Sequence, residues 1–484
     1  MDERLLTAAD LALRPGRGQR NPWLREALES DPGAPAPALE RDREVDVAIV
    51  GGGYTGLWTA LNLKDRDPDL RVAILEQDIC GGGPSGRNGG FVNAWWDELG
   101  TLVDLFGPER ALECAREVDA SVEAIGRWCE DNNVDAHYRR GGMLLVSTTP
   151  HYDGRWRGDV TTAQRLNANE ELVELAAAQV QARCASPRFR GAALMRAGAT
   201  VHPAHLVRGM RRVCLERGVT IHETTRVRGL RREANHVRLR TDGGDVRAGH
   251  VVMAINAWAA GWWPMHRSVL AWSSYMVRSE PIPDLIEREL GWTGGESIVD
   301  ARASVHYMHV TRDGRIAIGA GGGRPGYGGR IGSSFTDDVS AARRAAFGFR
   351  FFFPSLADVR LTDAWGGPID VSADHLPRFG TLRGGRVHFA VGYSGNGVAP
   401  SHLGGRILAA LVLESDEPLT RLAVVGPAPK HFPPEPLRYV GARVMREAMI
   451  RREDGEEAGQ RAPWWLRTLT RVPQKMGYHL GPGD

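Results

Sequence analysis

The sequence predicts an α/β fold, and three observations lead to this prediction. The first is the run VDVAIV at 45–50, which is apolar apart from Asp46 and is typical of a strand buried on both faces of a sheet. The second is the glycine turn GGGYTG directly after that run, succeeded by a helical segment, LWTALNLKDRD, and a second buried strand, RVAILE at 71–76. The third is the length of 484 residues, which is enough for two or three domains.

Composition and charge argue against several classes of protein. Hydrophobic residues make up 42% and charged residues 25%, and the net charge of +2 gives no bulk field for nucleic acid. Five scattered cysteines without a CxxC pair fit a reducing compartment better than a disulfide framework or a zinc site. The acidic N-terminus MDERLLTAAD is unlike a signal peptide, and no apolar run approaches membrane-spanning length. We therefore expect a cytoplasmic protein without a metal site and without a membrane or nucleic-acid partner.

The remaining elements are predicted in chain order. Residues 1–44 end in DPGAPAPALERDRE, which indicates an extended strap or linker, and NPWLREALE within them predicts one short helix anchored by Trp23. An amphipathic helix over 202–218 is ended by Gly218. The other predicted segments are helices over 98–133 and 169–180 (NEELVELAAAQV), strands within 141–149, 219–233, 236–244 and 246–259, a hairpin over 304–323, a strand entering a glycine turn over 386–397, a helix over 402–414, and a charged helical segment near the C-terminus.

The turn between the first two strands carries the pattern Gly51-x-Gly53-x-x-Gly56. The first glycine makes the turn, the second lets a pyrophosphate approach the backbone, and the third lets helix and strand pack closely. The helix begins near Tyr54, and its first N–H groups and its dipole favour a phosphate. Glu76 lies 20 residues (76 − 56) beyond the third glycine, where it can accept from ribose hydroxyls. The pattern predicts a dinucleotide site, with a purely structural glycine turn as the alternative.

A second glycine-rich segment, CGGGPSGRNGGF at 80–91, comes after the second strand, and six of the ten residues 81–90 are glycine. In a nicotinamide enzyme another helix usually stands here. A backbone with so few side chains suits a cofactor that extends along the sheet and ends in a bulky ring. Arg87 and Asn88 would supply polar contacts to it. The segment therefore favours FAD over NAD, and a surface loop is the alternative interpretation.

Several segments together resemble a known family. They are GGGYTGLWTALNL, SGRNGGF, VVMAINAW at 251–258, WGGPIDVSADHLPRFG at 365–380 and GYSGNGV at 392–398. They look like the D-amino-acid-oxidase family of FAD-dependent oxidoreductases, and the SGRNGG form resembles its γ-glutamylputrescine oxidase branch, alongside glycine and sarcosine oxidases. The match covers about residues 45–440 in the expected order.

The resemblance implies a Rossmann-like FAD-binding domain interleaved with an α+β substrate domain built on a large mixed sheet. The implied division is an N-terminal strap at 1–44, an FAD-binding domain at 45–98, 200–260 and 376–420, a substrate domain at 99–199 and 261–375, and a C-terminal helical segment at 421–484.

The resemblance also implies which residues hold FAD. Val227 would meet the adenine through its backbone, Ala254 would lie near the pyrophosphate, and the glycine run would pass the ribityl chain. The segment before the helix at 402–414 would face the pyrimidine edge of the flavin, where a helix N-terminus favours the negative charge of the reduced ring. The predicted contacts are Gly51, Gly53, Tyr54, Thr55, Gly56, Glu76, Gln77, Ser85, Arg87, Asn88, Gly89, Gly90, Val227, Ala254, Gly395, Asn396, Gly397 and Val398.

The FAD is expected to be non-covalent. Relatives that attach it use a late cysteine or a histidine in the second glycine segment, whereas here no cysteine follows Cys214 and the glycines are followed by Phe91 and Val92. Cys80 would lie nearer the ribose than the ring and is interpreted as a plain loop residue.

The reaction implied by the resemblance is oxidation of a C–N bond, in which a hydride passes to flavin N5 and water hydrolyses the imine. Members that oxidise amino acids carry an arginine for the carboxylate in the segment that here reads WGGPIDVSADHLP. Ile369 occupies that place, and isoleucine cannot clamp a carboxylate. Asp370 could attract a cationic amine, or it could cap a turn and point away. An amine substrate is therefore favoured over a simple α-amino acid.

Aromatic side chains are further candidates for the substrate site. Tyr307 would close the pocket over the flavin or serve as a core tyrosine. Trp365, Trp95, Trp96 and Tyr275 could form an aromatic wall, which suits cationic amines, and core packing is the alternative for each. The predicted catalytic set is Tyr307, Asp370 and Trp365.

The electron acceptor is expected to be O2, narrowly ahead of another acceptor. Some oxidases of this family use a lysine beside the flavin, but the three lysines of this chain lie outside plausible segments, and an arginine or a histidine, such as His306 or His402, could substitute electrostatically. An amine or amino-acid dehydrogenase and a non-catalytic flavoprotein subunit of a larger complex are the alternatives. A monooxygenase is disfavoured because the other candidate dinucleotide turn, GAGGGRPGYGG at 319–329, has Arg324 in place of the third glycine.

The C-terminal helical segment has no assigned role. It could contact another subunit, lie as an amphipathic helix on a surface, or pack on its own domain.

Overall fold

The computed structural model of the protein describes residues 3–16, 18–31 and 33–478. Its strands are β1 (Arg43–Val50), β2 (Val72–Leu75), β3 (Phe91–Asn93), β4 (Arg139–Arg140), β5 (Met143–Ser147), β6 (Leu172–Ala176), β7 (Gly191–Met195), β8 (Gly198–Thr200), β9 (Thr220–His222), β10 (Gly229–Arg232), β11 (Val237–Arg240), β12 (Asp245–Met253), β13 (Leu270–Ser279), β14 (Ser297–Asp300), β15 (His306–Val310), β16 (Ile316–Ala320), β17 (Leu361–Val371), β18 (Arg378–Thr381) and β19 (Val387–Val391).

The helices are numbered in the same way along the chain. They are α1 (Ala8–Ala12), α2 (Pro22–Ser30), α3 (Tyr54–Arg66), α4 (Leu99–Phe106), α5 (Pro108–Asp131), α6 (Arg157–Arg165), α7 (Ala177–Gln181), α8 (Pro203–Glu216), α9 (Pro283–Leu285), α10 (Val339–Phe352), α11 (Val398–Val412), α12 (Leu437–Glu457), α13 (Trp464–Thr470) and α14 (Val472–Lys475).

The first large sheet contains the predicted βαβ unit. Strands β9, β2, β1, β12 and β19 run parallel in that order. The first half of β12 also pairs antiparallel with β11, which forms a hairpin with β10, and β18 pairs antiparallel with β19. Helices α3, α8 and α11 share one hydrophobic core with the inner residues of β1 and β2. A second core covers the opposite face, which explains why the last four residues of β1 and all of β2 are apolar.

The second large sheet has the strand order β17-β13-β16-β15-β14-β5-β7-β6. Its pairs are antiparallel except for β14 with β5. Helix α10 packs against β13 and β16, and its phenylalanines fill the core on that face. A short sheet of β3, β8 and β4 begins directly after the glycine run.

Two helix predictions need correction. The segment 169–180 forms strand β6 followed by the one-and-a-half-turn helix α7, because antiparallel pairing with β7 outweighs the helix propensity of its Glu, Leu and Ala residues. The predicted helix over 98–133 is two helices, α4 and α5, since Gly107 adopts φ +81° and Pro108 begins a new helix. Helix α6 was not predicted.

The N-terminal segment contacts both large sheets: Leu6 and Asp10 pack against α10 on the second sheet, and the residues from α2 onward lie beside the first. Trp23 on α2 is buried, and α2 packs against α8. Further along, the Ala36 N–H donates to Glu223 at 3.0 Å and the Leu39 N–H donates to Thr225 Oγ1 at 2.9 Å. Within the described residues, no helix combines the length and apolar character needed to cross a lipid bilayer.

Candidate functional site

A cavity of about 1130 Å³ lies at the carboxyl ends of β1, β2 and β12, where ligands bind in parallel α/β sheets. It extends to the second sheet, and β13, β15 and β17 contribute wall residues there. Of the residues predicted to contact the cofactor, all but Gly56 and Gly90 line this cavity. Its volume is larger than the roughly 300–1,000 Å³ of ordinary small-molecule sites, so it can hold an extended cofactor and a substrate together.

The glycine turn after β1 is built for a close backbone approach. Gly51 has φ +110°, and a Cβ on it would lie 2.3 Å from the Ala254 carbonyl oxygen at the end of β12. A Cβ on Gly56 would lie 2.1 Å from the Gly51 carbonyl oxygen, which explains the third glycine by packing although it does not line the cavity. Gly53 caps α3 without a side-chain hydrogen bond, so the positive end of the helix faces the cavity.

Glu76 comes directly after β2 and closes one end of the cavity. Its carboxylate accepts hydrogen bonds from the Gly52 N–H at 2.7 Å and from the Asp78 N–H at 2.9 Å, which fix its position beside the glycine turn. Burial raises the pKa of Glu76, and these two bonds act against that rise. Gln77 and Val227 lie next to it in the cavity wall.

The glycine run 81–90 is tied into the structure by its own side chains. Asn88 donates to the carbonyl oxygens of Pro84 and Ser85 and accepts from the Gly90 N–H. Arg87 donates to Gly82 and Gly366 carbonyl oxygens, and Ser85 Oγ accepts from the Tyr54 N–H.

Gly90 does not line the cavity, and glycine is required there by the backbone conformation and by close packing. It has φ +76°, and a Cβ on it would lie 2.2 Å from the Val201 carbonyl oxygen. Gly89, in contrast, lines the cavity, and a Cβ there would lie 2.8 Å from the Phe91 ring. The run is therefore a fixed cavity wall, and the alternative of a surface loop is wrong.

Asp370 lines the cavity, and its contacts are those of the alternative interpretation, a residue that caps a turn. It is fully buried on β17, and its carboxylate accepts from the Asn256 amide at 2.7 Å and from the Gly392 N–H at 2.5 Å. Its backbone carbonyl accepts from the Ser394 N–H. Burial raises the pKa of Asp370 to about 7. These contacts hold the glycine turn between β19 and α11 in place.

Ile369 projects into the cavity beside that turn. A Cβ on Gly395 would lie 3.7 Å from Ile369 Cδ1. Because β17 pairs with β13, Ile369 lies opposite Trp272, which also lines the cavity. The cavity wall is therefore apolar at position 369, where amino-acid-oxidising relatives are expected to carry an arginine.

Tyr307 lines the cavity from β15. Its hydroxyl shares a hydrogen bond with Ser274 at 2.8 Å, and its ring contacts the Phe91 ring edge to face. Burial raises the pKa of Tyr307 to about 12, so the phenol is neutral at physiological pH.

Trp365 connects the second sheet to the glycine run. It lines the cavity, packs edge to face on Trp23, and donates its indole N–H to the Arg87 carbonyl oxygen at 2.9 Å. Of the other aromatic candidates, Trp95 lines the cavity, whereas Trp96 and Tyr275 are buried outside it. The sequence analysis missed Trp258, Trp262 and Trp272, which do line it.

The two histidines proposed to help O2 do not reach the cavity. His306 is held by Asp300 and Arg302, and His402 is bonded to Ser121 and packs against Trp58. None of the three lysines lines the cavity. The prediction that His306 or His402 supplies a positive charge beside the flavin is therefore wrong.

Helix α12 forms part of the cavity wall, which the sequence analysis did not foresee. Met445, Met449 and Ile450 line the cavity from this helix. Arg446 donates to the carbonyl oxygens of Gly322 and Gly323 at 2.7 and 2.6 Å. The glycine-rich segment 319–329, the other candidate dinucleotide turn, therefore contacts α12 and is not followed by a dinucleotide-binding helix. The amphipathic pattern of α12 was visible in the sequence, but the surface that it covers was not.

A buried charge network fixes the far end of α12. Arg302, which is 2% exposed, pairs with Asp300 at 3.1 Å and with Glu457 of α12 at 3.0 Å. The neighbouring Glu453 accepts from the Ala303 and Ser304 N–H groups. The helix is thus joined to the loop after β14, which itself lines the cavity.

The lining residues fit FAD. Glu76 offers a carboxylate for ribose hydroxyls, and α3 and α11 both begin at the cavity with glycine N-caps that carry no side-chain hydrogen bond. Between them the bare glycine run leaves room for a flat ring. In the part of the chain that the structure describes, no cluster of His, Cys, Asp and Glu is arranged to hold a metal.

Comparison with known proteins agrees with this fit. A sequence model of the family described as FAD dependent oxidoreductase matches residues 46–411. The gamma-glutamylputrescine oxidoreductase of Escherichia coli K12 is 27% identical over 422 residues, which cover 85% of this chain and 92% of that protein. The sarcosine oxidase subunit beta of Rhodobacter capsulatus is 24% identical over 390 residues, which cover 78% and 87%.

Solved structures share the fold. Glycine oxidase from Geobacillus kaustophilus matches with a TM-score of 0.62 at 23% identity, over 79% of this chain and 98% of that one. L-proline dehydrogenase from P. horikoshii matches with a TM-score of 0.63 at 19% identity, over 78% and 96%. These likenesses confirm the predicted fold class, a Rossmann-like domain with a substrate domain. The family match ends at residue 411, so helix α12 lies beyond it.

Proposed function

The chain belongs to the family of FAD-dependent oxidoreductases, and from that premise we propose that it oxidises a C–N bond of an amine that lacks an α-carboxylate. Ile369 carries this proposal. It projects into the cavity beside Gly395, at the place where amino-acid-oxidising relatives are expected to hold an arginine. An apolar side chain there leaves a carboxylate without a partner, and burying an unpaired charge is unfavourable.

The residues around the cavity are proposed to hold the cofactor from end to end. Glu76 would accept from the ribose, the N-terminus of α3 would face the pyrophosphate, and Val227 and Ala254 would border the adenine half. The wall formed by the glycine run and by 395–398 would contact the flavin, with the N-terminus of α11 near its pyrimidine edge. When bound, FAD supplies the two-electron acceptor that takes the hydride at N5.

The protein itself would position the amine and keep it neutral. Desolvation disfavours an ammonium, so an apolar wall around the reacting carbon favours the free base, whose lone pair forms the C=N bond as the hydride leaves. Tyr307, Ile369 and Met276 line the cavity in this region. Water then adds to the imine carbon, and the product is a carbonyl compound and the released amine or ammonia.

We propose non-covalent attachment of the FAD. All five cysteines are free and buried. Phe91 and Val92 stand where some relatives have an attaching histidine. The expected result is complete release of yellow FAD into the supernatant when the protein is precipitated with acid, whereas flavin that stays with the pellet would contradict it.

The electron acceptor is proposed to be O2, which would yield hydrogen peroxide. Because no lysine lines the cavity, reoxidation by O2 is expected to be slow, and a dehydrogenase using another acceptor is the second candidate. Mixing anaerobically reduced enzyme with O2 and measuring both the reoxidation rate and the peroxide formed distinguishes the two. A reduced flavin that O2 reoxidises far more slowly than turnover would favour the dehydrogenase.

The experiment that tests the function is the visible spectrum of the holoprotein without oxygen, as amines and amino acids are added. We expect bleaching by amines and none by glycine, alanine or proline. Ile369→Leu, the matched control, should keep this preference, and Ile369→Arg should reduce amine reaction at least about tenfold, since it adds a cation to the amine site. Bleaching of the wild type by amino acids would refute the assignment of Ile369. If nothing bleaches the flavin, the proposed amine oxidation fails and the alternative of a non-catalytic flavoprotein subunit is favoured.

A further inference from the structure

One part of the cavity wall offers hydrogen-bond acceptors that nothing in the described part of the protein satisfies. It consists of Asn93, Trp95, Asp97 and Met143, and we call it the acceptor wall. It begins at the end of β3 and faces strand β5 of the second sheet, because Asn93 donates its amide N–H to Met143 Sδ at 3.0 Å. That contact holds the amide nitrogen, and the amide oxygen has no donor among the described residues.

Two buried oxygens of this wall have no partner. Asn93 is 6% exposed and Asp97 is 9% exposed, and the Oδ1 atom of each accepts no hydrogen bond within the described residues. Leaving a buried acceptor unpaired costs about 1–3 kcal/mol, and more for a charged group, so an unpaired acceptor in a cavity wall calls for an explanation. The missing donor is therefore expected to come from a ligand.

The charge of the surroundings indicates what kind of donor is missing. The residue behind Asp97 is another carboxylate, Asp159, which accepts from the Gly100 N–H at 2.7 Å and does not line the cavity. Burial, with a smaller effect of Asp159, raises the pKa of Asp97 to about 7. Arg302, whose guanidinium also belongs to the cavity lining, is already paired with Asp300 and Glu457. A positively charged donor would relieve this excess of acceptors.

An ammonium group meets all of these requirements. It carries donors for both oxygens and a positive charge for Asp97, and the ring of Trp95 adds an aromatic surface of the kind that cations favour. The polyanionic FAD does not meet them, because its phosphates would be repelled by Asp97 and its ring is expected at Gly89.

The acceptor wall is separate from the place where the amine is oxidised. The Phe91 ring contacts Tyr307 in the proposed reaction region, with 5.6 Å between the ring centroids. Asn93 lies two residues further along β3, which corresponds to about 7 Å of extended strand. A group held at the acceptor wall is thus at the far end of a substrate whose other end reaches Tyr307.

We propose that Asn93 and Asp97 bind a cationic ammonium group of the substrate, remote from the C–N bond that is oxidised. The preferred substrate is then a diamine or an amine with a second cationic centre, joined by an apolar chain that lies along the cavity. This inference rests on the proposed amine oxidation for its catalytic consequence, and it deepens that function by naming the substrate class.

The test compares diamines with monoamines of the same chain length. The concentration of each that half-saturates anaerobic flavin reduction is measured for the wild-type holoprotein and for Asp97→Asn, which keeps the shape and removes the charge. We expect the half-saturating concentration of the diamine to rise at least about tenfold and that of the monoamine to change less than about twofold. Asn93→Ala should also raise the half-saturating concentration of the diamine. The control is Asp104→Asn, at an exposed carboxylate on α4, which should change the value for neither the diamine nor the monoamine.

A second readout needs no turnover. An α,ω-diamine whose two amino-bearing carbons each carry two methyl groups keeps its ammonium N–H donors but has no C–H next to nitrogen to lose as hydride, so it cannot be oxidised, and its binding is followed by calorimetry. We expect binding to the wild type and its loss in Asp97→Asn. If no amine reduces the flavin but this binding pattern holds, the acceptor wall stands and the proposed oxidation fails. If amines reduce the flavin and Asp97→Asn affects monoamines and diamines equally, or affects neither, the acceptor wall is refuted. Should Asp97→Asn not fold, Asn93→Ala decides by the same outcomes.

Discussion

Replacing Asp370 by asparagine tests whether its carboxyl group is a buried structural link or an anionic anchor for the substrate. The side chain is fully buried, and burial raises its pKa from 3.8 to about 7. A raised carboxyl pKa means that folding favours the neutral form, so stability is lost as pH rises from the unfolded pKa toward the folded one. Between pH 5 and pH 8 these two pKa values correspond to a loss of about 2.5 kcal/mol in the free energy of unfolding.

Asp370→Asn should not show this loss. The amide has the size of the carboxyl group, and its oxygen can still accept from the Gly392 N–H. Its NH2 group can donate to Asn256 if that amide turns over, because Asn256 Oδ1 has no partner in the described part of the chain. We therefore expect the variant to gain stability relative to the wild type by about 2.5 kcal/mol as pH rises from 5 to 8.

The assay is urea unfolding of both proteins at several pH values. Asp46→Asn is the matched control: Arg71 lowers the pKa of Asp46, so its replacement should give no relative gain at higher pH. A constant stability difference between wild type and Asp370→Asn from pH 5 to pH 8 would refute the reasoning. It would mean that the carboxyl group of Asp370 is already ionised at pH 5 in the folded protein, as an anionic anchor requires.

Two further predictions concern the contacts that frame the cavity. Trp365→Phe removes the hydrogen bond to the Arg87 carbonyl oxygen, which is worth about 0.5–1.5 kcal/mol. The variant should therefore bind FAD about two- to tenfold more weakly, as measured by fluorescence titration. Unchanged affinity would show that the glycine run does not depend on this bond. Arg302→Met leaves the carboxylate of Glu457 unpaired and should destabilise the protein by about 3–5 kcal/mol, with earlier proteolytic cleavage within α12. A melting temperature equal to that of the wild type would contradict the network.

Local patterns accounted for much of the fold. The βαβ unit was predictable because local patterns identify each of its elements within about thirty residues. Apolar runs indicate the strands, glycines indicate the turn, and helical periodicity indicates the helix. The hairpin of β15 and β16 and the helix ended by Gly218 were predictable for the same reason. Strand β6 was not, because its helix-favouring residues become a strand only when β7 lies beside them.

The residues that line the cavity were likewise predictable from the sequence only in part. The sequence alone determined which segments turn their backbone toward a dinucleotide, since glycines at fixed spacing are needed wherever a phosphate or a flat ring approaches the chain. It also determined that position 369 cannot clamp a carboxylate. The tertiary structure decided what Asp370 does, because its partners Asn256 and Gly392 are 114 and 22 positions away in the chain. It likewise decided that α12 covers the cavity and that Asn93 and Asp97 are left without donors among the described residues. Desolvation and hydrogen bonding depend on which distant groups come together, and one chain segment read by itself does not contain that information.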